Sequence, residues 1–234
     1  MTAATKASLS KVDLSHKTRF SDSSIYDVKC IWCGGTDANG DRSFFSFCPN
    51  SQAKFFSSLH EANVARDKEW NPGNKLSLYF RANELFGEGG ELGNILKKLE
   101  REDLGLVGSR SERTAMVEEM ADVVICCYLI ALHTNIEMDR KIASSKPMED
   151  DLSNYSRAGT MLANRIGSVC GFVEHHPEVR TSLDQILLAD KLAAVVGLIY
   201  RLAEQNGIAI DRAIADKFNK TSVKRGLTVF MEVA

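Results

Sequence analysis

The chain predicts an all-α fold, and three features of its sequence carry that expectation. From Pro49 onward, apolar residues recur at helical intervals over long segments. After Pro49 only Pro72, Pro147 and Pro177 follow, each between such segments, where a fixed φ and a missing N–H donor break no helix. No stretch alternates with period two for long enough to demand a sheet, Ser43 to Phe47 coming nearest.

Residues 1–25 are rich in Ser, Thr and Lys without periodicity and read as a disordered tail. Residues 26–52 read as a small irregular module holding Cys30, Cys33 and Cys48, with turns at Gly34-Gly35 and Asn39-Gly40. A first helix is expected from Ala53 to Trp70, stopping before the Asn71-Pro72-Gly73 turn. A second runs from about Leu76 to Glu102. Its Leu78, Leu85, Leu92 and Leu99, with Ile95 and Leu96, form one apolar stripe. After the linker Asp103 to Gly108, Ser109 and Glu112 have the spacing of a capping box opening a third helix that reaches about His133. A short helix at Met138 to Ser144 and a linker at Ser145 to Asp150 come next. Helical segments at 153–174, 182–206 and 208–224 complete the chain. The helical part divides into a unit at 53–146 and a second at 153–234.

A chain of 234 residues, 44% hydrophobic and 26% charged, has the composition of a soluble globular protein. Its net charge of −2 argues against a nucleic-acid binder that works through a broad basic surface, but not against a site for one nucleotide. No run approaches the roughly 20 apolar residues of a membrane span. Val123 to Leu132, the longest, is interrupted by Cys126, Cys127 and Tyr128. The polar N-terminus lacks the apolar centre of a signal peptide, so a cytoplasmic location with reduced thiols is expected. Cys126, Cys127 and Cys170 then read as small buried apolar residues.

The chain also echoes itself. Ile136-Glu-Met-Asp139-Arg140-Lys-Ile142-Ala143 returns 72 positions later as Ile208-Ala-Ile-Asp211-Arg212-Ala-Ile214-Ala215. The same shift places Tyr128 on Tyr200 and Val123-Val124 on Val195-Val196, but Glu119 on Lys191 and Asp122 on Ala194. One register across several helix turns reads as a duplication whose second copy kept its packing positions and lost its acids. Chance similarity between two Ala/Ile-rich helix ends is the alternative.

Chemistry concentrates in four acids. Glu88 and Glu91 are three apart, as are Glu119 and Asp122, so each pair lies on one helix face. Glu84, Glu88 and Glu91 border the leucine stripe. Glu118, Glu119 and Asp122 border Ile125, Cys126 and Leu129. Acids flanking the apolar seam on both helices would converge where those helices pack. Carboxylates gathered in a partly dry site repel one another and call for protons or a cation. Oxygen-only ligands favour Mg2+ or Mn2+, and Mg2+ readily takes phosphate oxygens. Two ions about 4 Å apart would activate a water and stabilise charge at phosphorus. The competing reading is a pair of solvated helix faces with Lys97 and Lys98 as partners. Gly87, Gly89, Gly90 and Gly93 speak for the site, because each costs a helix about 1 kcal/mol unless close approach of a neighbour or ligand needs it.

Four stretches resemble the MazG-like nucleotide pyrophosphohydrolases, of the all-α NTP pyrophosphatase superfamily that includes the dimeric dUTPases. They are Asn63-Val-Ala-Arg66-Asp-Lys-Glu69-Trp70, Asn83-Glu84-Leu-Phe-Gly87-Glu88-Gly-Gly-Glu91, Lys97-Lys98-Leu-Glu-Arg101-Glu and Glu118-Glu119-Met-Ala-Asp122-Val-Val. The ending Lys217-Phe-Asn219-Lys220-Thr-Ser222-Val-Lys224 is similar to the same proteins. The resemblance implies a helical bundle of that type and Mg2+-dependent cleavage of a (deoxy)nucleoside triphosphate to monophosphate and pyrophosphate. It implies that Glu88, Glu91, Glu119 and Asp122 hold the metal and position the water. Lys98, Lys217, Asn219, Lys220 and Lys224 would meet phosphates or sugar. Trp70 would lie against the base, or else serve as a core residue at a helix end. About 70 extra residues, those of the degenerate second unit, separate the family-like ending from the acids. They suggest an intrachain pseudodimer where relatives use a homodimer.

Cys30-x-x-Cys33 with Cys48 supplies three thiols of a zinc site but no fourth ligand; His60, the nearest candidate, falls in the first helix. Unpaired loop cysteines are the plainer reading. Asp37-Ala-Asn39-Gly40-Asp41 is a turn, and His175-His176 an exposed helix end. The alternative function is a non-catalytic nucleotide-binding or interaction module whose cysteines contact a partner.

Overall fold

The computed structural model describes residues 28–29, 36–37, 49–138, 152 and 154–232. The expected tail at 1–25, the cysteines Cys30, Cys33 and Cys48, and the short helix beyond Met138 with its following linker lie outside those residues. Two units are distinguished, Met1–Asp41 and Arg42–Ala234. In the first, β1 (Val28–Lys29) and β2 (Thr36–Asp37) pair antiparallel, with Val28 opposite Asp37 and Lys29 opposite Thr36.

The second unit is all-helical among the described residues: α1 (Pro49–Trp70), α2 (Leu78–Asp103), α3 (Arg113–His133), α4 (Tyr155–His175), α5 (Ser182–Gln205) and α6 (Ile210–Arg225). Each boundary falls within a few residues of the expected one. None of these helices is long and apolar enough to cross a membrane. The centre is α3, whose Met116, Met120, Ala121 and Val123–Ala131 run is buried almost all round, Leu129 being only partly covered. A helix apolar on every side needs neighbours on every side. It packs against α1, α2, α5 and α6, while α4 closes the bundle against α2 and α5. The leucine stripe of α2 is buried as expected. A side chain at Gly89 would run into Ile166 of α4, so here the glycine serves a close helix–helix approach. At Gly87, Gly90 and Gly93 an added Cβ would meet nothing within 4 Å, so no neighbouring helix accounts for them.

The expected capping box at Ser109 and Glu112 does not form. Helix α3 begins at Arg113 with Glu112 as its N-cap and no side-chain cap bond. Ser109 instead accepts from Arg101 Nη1 at 3.2 Å, and the Ser111 amide donates to Glu102 Oε1 at 3.0 Å. The loop is tied back to the end of α2, which competes for the same polar atoms. A reciprocal box does open α5, where Thr181 and Asp184 exchange two bonds of 3.0 Å.

Helices α3 and α5 end alike. Asn135 (φ 54°) and Gly207 (φ 65°) take the left-handed conformation. Ile136 and Ile208 then donate to Ala131 and Ala203 carbonyls at 2.8 and 2.9 Å, the long bond of a Schellman motif. Phe56 of α1 meets both equivalent tyrosines, stacked on Tyr128 at 5.6 Å and edge-on to Tyr200 at 5.4 Å.

The Tyr200 hydroxyl donates to Asp211 at the start of α6. Burial raises the Asp211 pKa from 3.8 to about 6, against the pull of that hydrogen bond. The folded state therefore binds the extra proton. Stability falls as pH rises from 3.8 to about 6 and stays lower above, by on the order of 2–3 kcal/mol from this group. Asp211→Asn keeps an acceptor for Tyr200 and removes the titration. Urea unfolding across that pH window should show a shallower slope for the variant, and equal slopes would refute the assignment.

Candidate metal centre

The sequence seam becomes the site. Helix α2 places Glu88 and Glu91 one turn apart beside buried Leu85 and Leu92, and α3 places Glu119 and Asp122 beside buried Val123 and Cys126. One carboxylate oxygen from each of Glu88, Glu91 and Glu119 lies within 4.8 Å of the others. These three could hold a metal ion. Asp122 is engaged differently, 2.7 Å from Lys217 Nζ of α6. Lys217 also lies 3.3 Å from Glu118, and Lys220 lies 2.6 Å from the other Glu118 oxygen.

Glu88, Glu119, Asp122 and Lys217 hold their protons more tightly than usual. Burial first, then the charges of Asp122, Glu119 and Glu91, push Glu88 up to about 7. Burial also raises Glu119, with Asp122 behind it, and raises Asp122 despite its bond to Lys217. On Lys217, burial works the other way, but the hydrogen bond and attraction of Asp122 prevail, and its pKa rises too. Burial is the largest cause for each of these acids, and the neighbouring carboxylates add to it for Glu88 and Glu119. Glu119 Oε2 is buried and accepts no hydrogen bond. An oxygen-only donor set with an unused buried oxygen fits a hard divalent cation. Neither Lys97 nor Lys98 makes an ion pair with these acids, so the lysine partners of the solvated-face reading are not those neighbours.

The remaining expected residues divide. Lys217 and Lys220 reach the site. Beside them, between α3 and α6, is a groove of about 370 Å³ lined by Thr114, Val117, Glu118, Arg212, Lys217 and Lys220. Asn219 does not point its amide to the acids: both ends bond to the Met231 backbone, at 2.9 and 2.7 Å. Lys224 is exposed in the last turn of α6, and Lys98 is half-buried two turns beyond Glu91. Trp70 is 43% exposed, so it is not a core tryptophan; its ring lies 5.7 Å from the Arg81 guanidinium.

Sequence reasoning missed the buried polar residues around the site. Arg81 is 2% exposed, paired with Asp67 and, at 3.0 Å, with Glu84. Arg66 lies 3.4 Å over the Phe218 ring and donates to the Phe218 carbonyl at 3.1 Å. Burial lowers its pKa to about 10, with Asp122 the first of the charges opposing that shift. Asn63 is fully buried with neither amide atom bonded. A signal existed: Phe56, Leu59, Asn63 and Arg66 continue one helical stripe, so these polar residues stand where α1 turns its apolar face inward.

Compared with family models, curated proteins and solved structures, the chain matches none.

Removing one partner of a buried ion pair strands the others. Arg81→Met should destabilise the fold by about 3–5 kcal/mol, since Asp67 and Glu84 lose their counter-charge. Chemical denaturation at neutral pH checks this, and a loss below about 1 kcal/mol would place the pair at the level of a surface contact.

Proposed function

We propose that the chain is a Mg2+-dependent pyrophosphohydrolase of the MazG-like type, cleaving a (deoxy)nucleoside triphosphate to the monophosphate and pyrophosphate. One observation carries the reading: Glu88, Glu91 and Glu119 converge within 4.8 Å from two helices, with Asp122 and Lys217 alongside. That gathering of charge suits a phosphate-bearing ligand that brings divalent cations. Mn2+ has the same donor preference and would substitute.

In the proposed reaction, the water oxygen bonds to the α-phosphorus and the bond to the α–β bridging oxygen breaks, its electron pair leaving with pyrophosphate. The bound ion would polarise the phosphate and lower the pKa of the attacking water. Glu88, Glu91, Glu119 and Asp122 would hold it. A carboxylate of the cluster orients the water and receives its proton. Lys217 and Lys220 supply positive charge toward the departing phosphates, on the side where the groove between α3 and α6 opens.

The helical unit is, on this reading, an internal duplication with one active site. Support comes from the matching ends of α3 and α5 and from Phe56 contacting Tyr128 and Tyr200. The buried stripes of α2 and α4 also match, at an offset of 70: Leu85, Leu92, Leu96 and Leu99 correspond to Tyr155, Leu162, Ile166 and Val169. At that offset Ala158 and Met161 stand where α2 has Glu88 and Glu91. The second copy thus lacks an acid at all four equivalent positions, with Lys191 and Ala194 on the other helix, and acts as an intrachain partner.

Purified protein with Mg2+ and each common dNTP in turn should release pyrophosphate from at least one. Glu91→Gln and Asp122→Asn should each lower that rate by about 100-fold or more, as expected for groups acting on the transition state. Full activity in both variants would remove these residues from the chemistry.

A further inference from the structure

Of the four acids, three gather their oxygens and the fourth does not join them. Asp122 is bound instead to Lys217 at 2.7 Å, and both side chains are largely shielded, 18% and 15% exposed. A lysine ammonium in hydrogen-bond contact with a carboxylate takes the place a metal ion would need at that oxygen. Four carboxylates with Lys217 and one divalent ion keep a single negative charge. A second divalent ion would then leave an excess positive charge until phosphates arrive.

We propose that Lys217 is an internal counter-cation, occupying Asp122 in the free protein, limiting it to one divalent ion, and passing to phosphate oxygens when nucleotide brings the second. The inference rests on the metal-site reading above and adds an order of binding to it. The surroundings allow this exchange with little backbone movement. Phe218, the next residue, is held by Arg66 through its ring and its carbonyl. Asn219 is locked to Met231 by two hydrogen bonds. The helix is thus pinned beside Lys217 while its four-carbon stem remains free to swing. Glu118, 3.3 Å from the same ammonium, gives it a second anchor on the outer side.

Lys217 acts here as a positioning residue, and ion binding tests it without turnover. Free Mn2+ is titrated by electron paramagnetic resonance at about pH 8, above the raised Glu88 value of about 7. Wild type should bind one ion per chain without nucleotide, and two with a non-hydrolysable α,β-methylene triphosphate. Lys217→Gln should bind a second ion without the analogue, or bind Mn2+ about tenfold or more tightly. Lys217→Arg, which keeps the charge, should stay close to wild type. Circular dichroism establishes that the variants fold. Two ions in nucleotide-free wild type, or an unchanged titration in a folded Lys217→Gln, overturns the proposal. If wild type then still binds Mn2+ and releases pyrophosphate, the proposed function stands without it. If wild type neither binds Mn2+ nor releases pyrophosphate, both fall together.

Discussion

Carboxylates brought together at the edge of a hydrophobic core repel one another, and much of the polar structure around α3 answers that repulsion. The acids of α3 are only half-exposed, because Glu119 lies between buried Met116 and Met120, and Asp122 between buried Ala121 and Val123. On α2, Glu88 is half-buried beside Leu85 and Leu92, while Glu91 reaches the cluster from an exposed position. The protein supplies three basic groups in response. Lys217 meets Asp122 directly, Arg66 contributes from a distance, and Arg81 neutralises Asp67 and Glu84 next door. Glu88 is raised to about 7, by burial first and then by the charges of Asp122, Glu119 and Glu91.

The basic residues also join elements distant in sequence. Arg81 ties α2 to α1 through Asp67, and Arg66 ties α1 to α6 through Phe218. Glu69 at the end of α1 accepts from the Thr228 amide and so holds the segment beyond α6. Helices α1 and α6 are therefore fixed over α3 by polar contacts at their ends as well as by apolar burial. A buried ion pair adds little net stability compared with an apolar pair of the same volume, but it penalises every arrangement that separates its partners. Placing charges where only one assembly satisfies them gives the helices around the site a defined position.

On the proposed duplication, the two halves of the helical unit treat equivalent positions differently. Glu88, Glu91, Glu119 and Asp122 in one half face Ala158, Met161, Lys191 and Ala194 in the other under the offsets that match their buried stripes. In the second half Lys191 donates to Ser168 of α4 at 2.8 Å, a neutral contact that leaves no cluster to neutralise. Both halves retain the apolar spacing, the helix ending and the central tyrosine. On the proposed reading, selection for packing acted on both, and selection for chemistry on one.

The helices were legible in the sequence because their signal is local. Apolar periodicity, prolines between segments and left-handed Asn135 and Gly207 act over a few residues, so α1 to α6 appear near their expected bounds. The pairing of Glu88-Glu91 with Glu119-Asp122 was legible for a related reason: both pairs border an apolar stripe, and stripes must meet. Where several local partners compete for one atom, sequence misleads, as at Ser109, which serves Arg101 and not α3. Tertiary structure alone decided the rest. That Asn219 binds Met231, that Lys217 and not a fourth converging oxygen stands at Asp122, and that Arg66 and Arg81 are buried all depend on segments brought together from far apart in the chain. No spacing rule reaches across that distance. The sequence by itself determined which residues would be acidic neighbours at a seam; the fold decided which positive charge would sit among them.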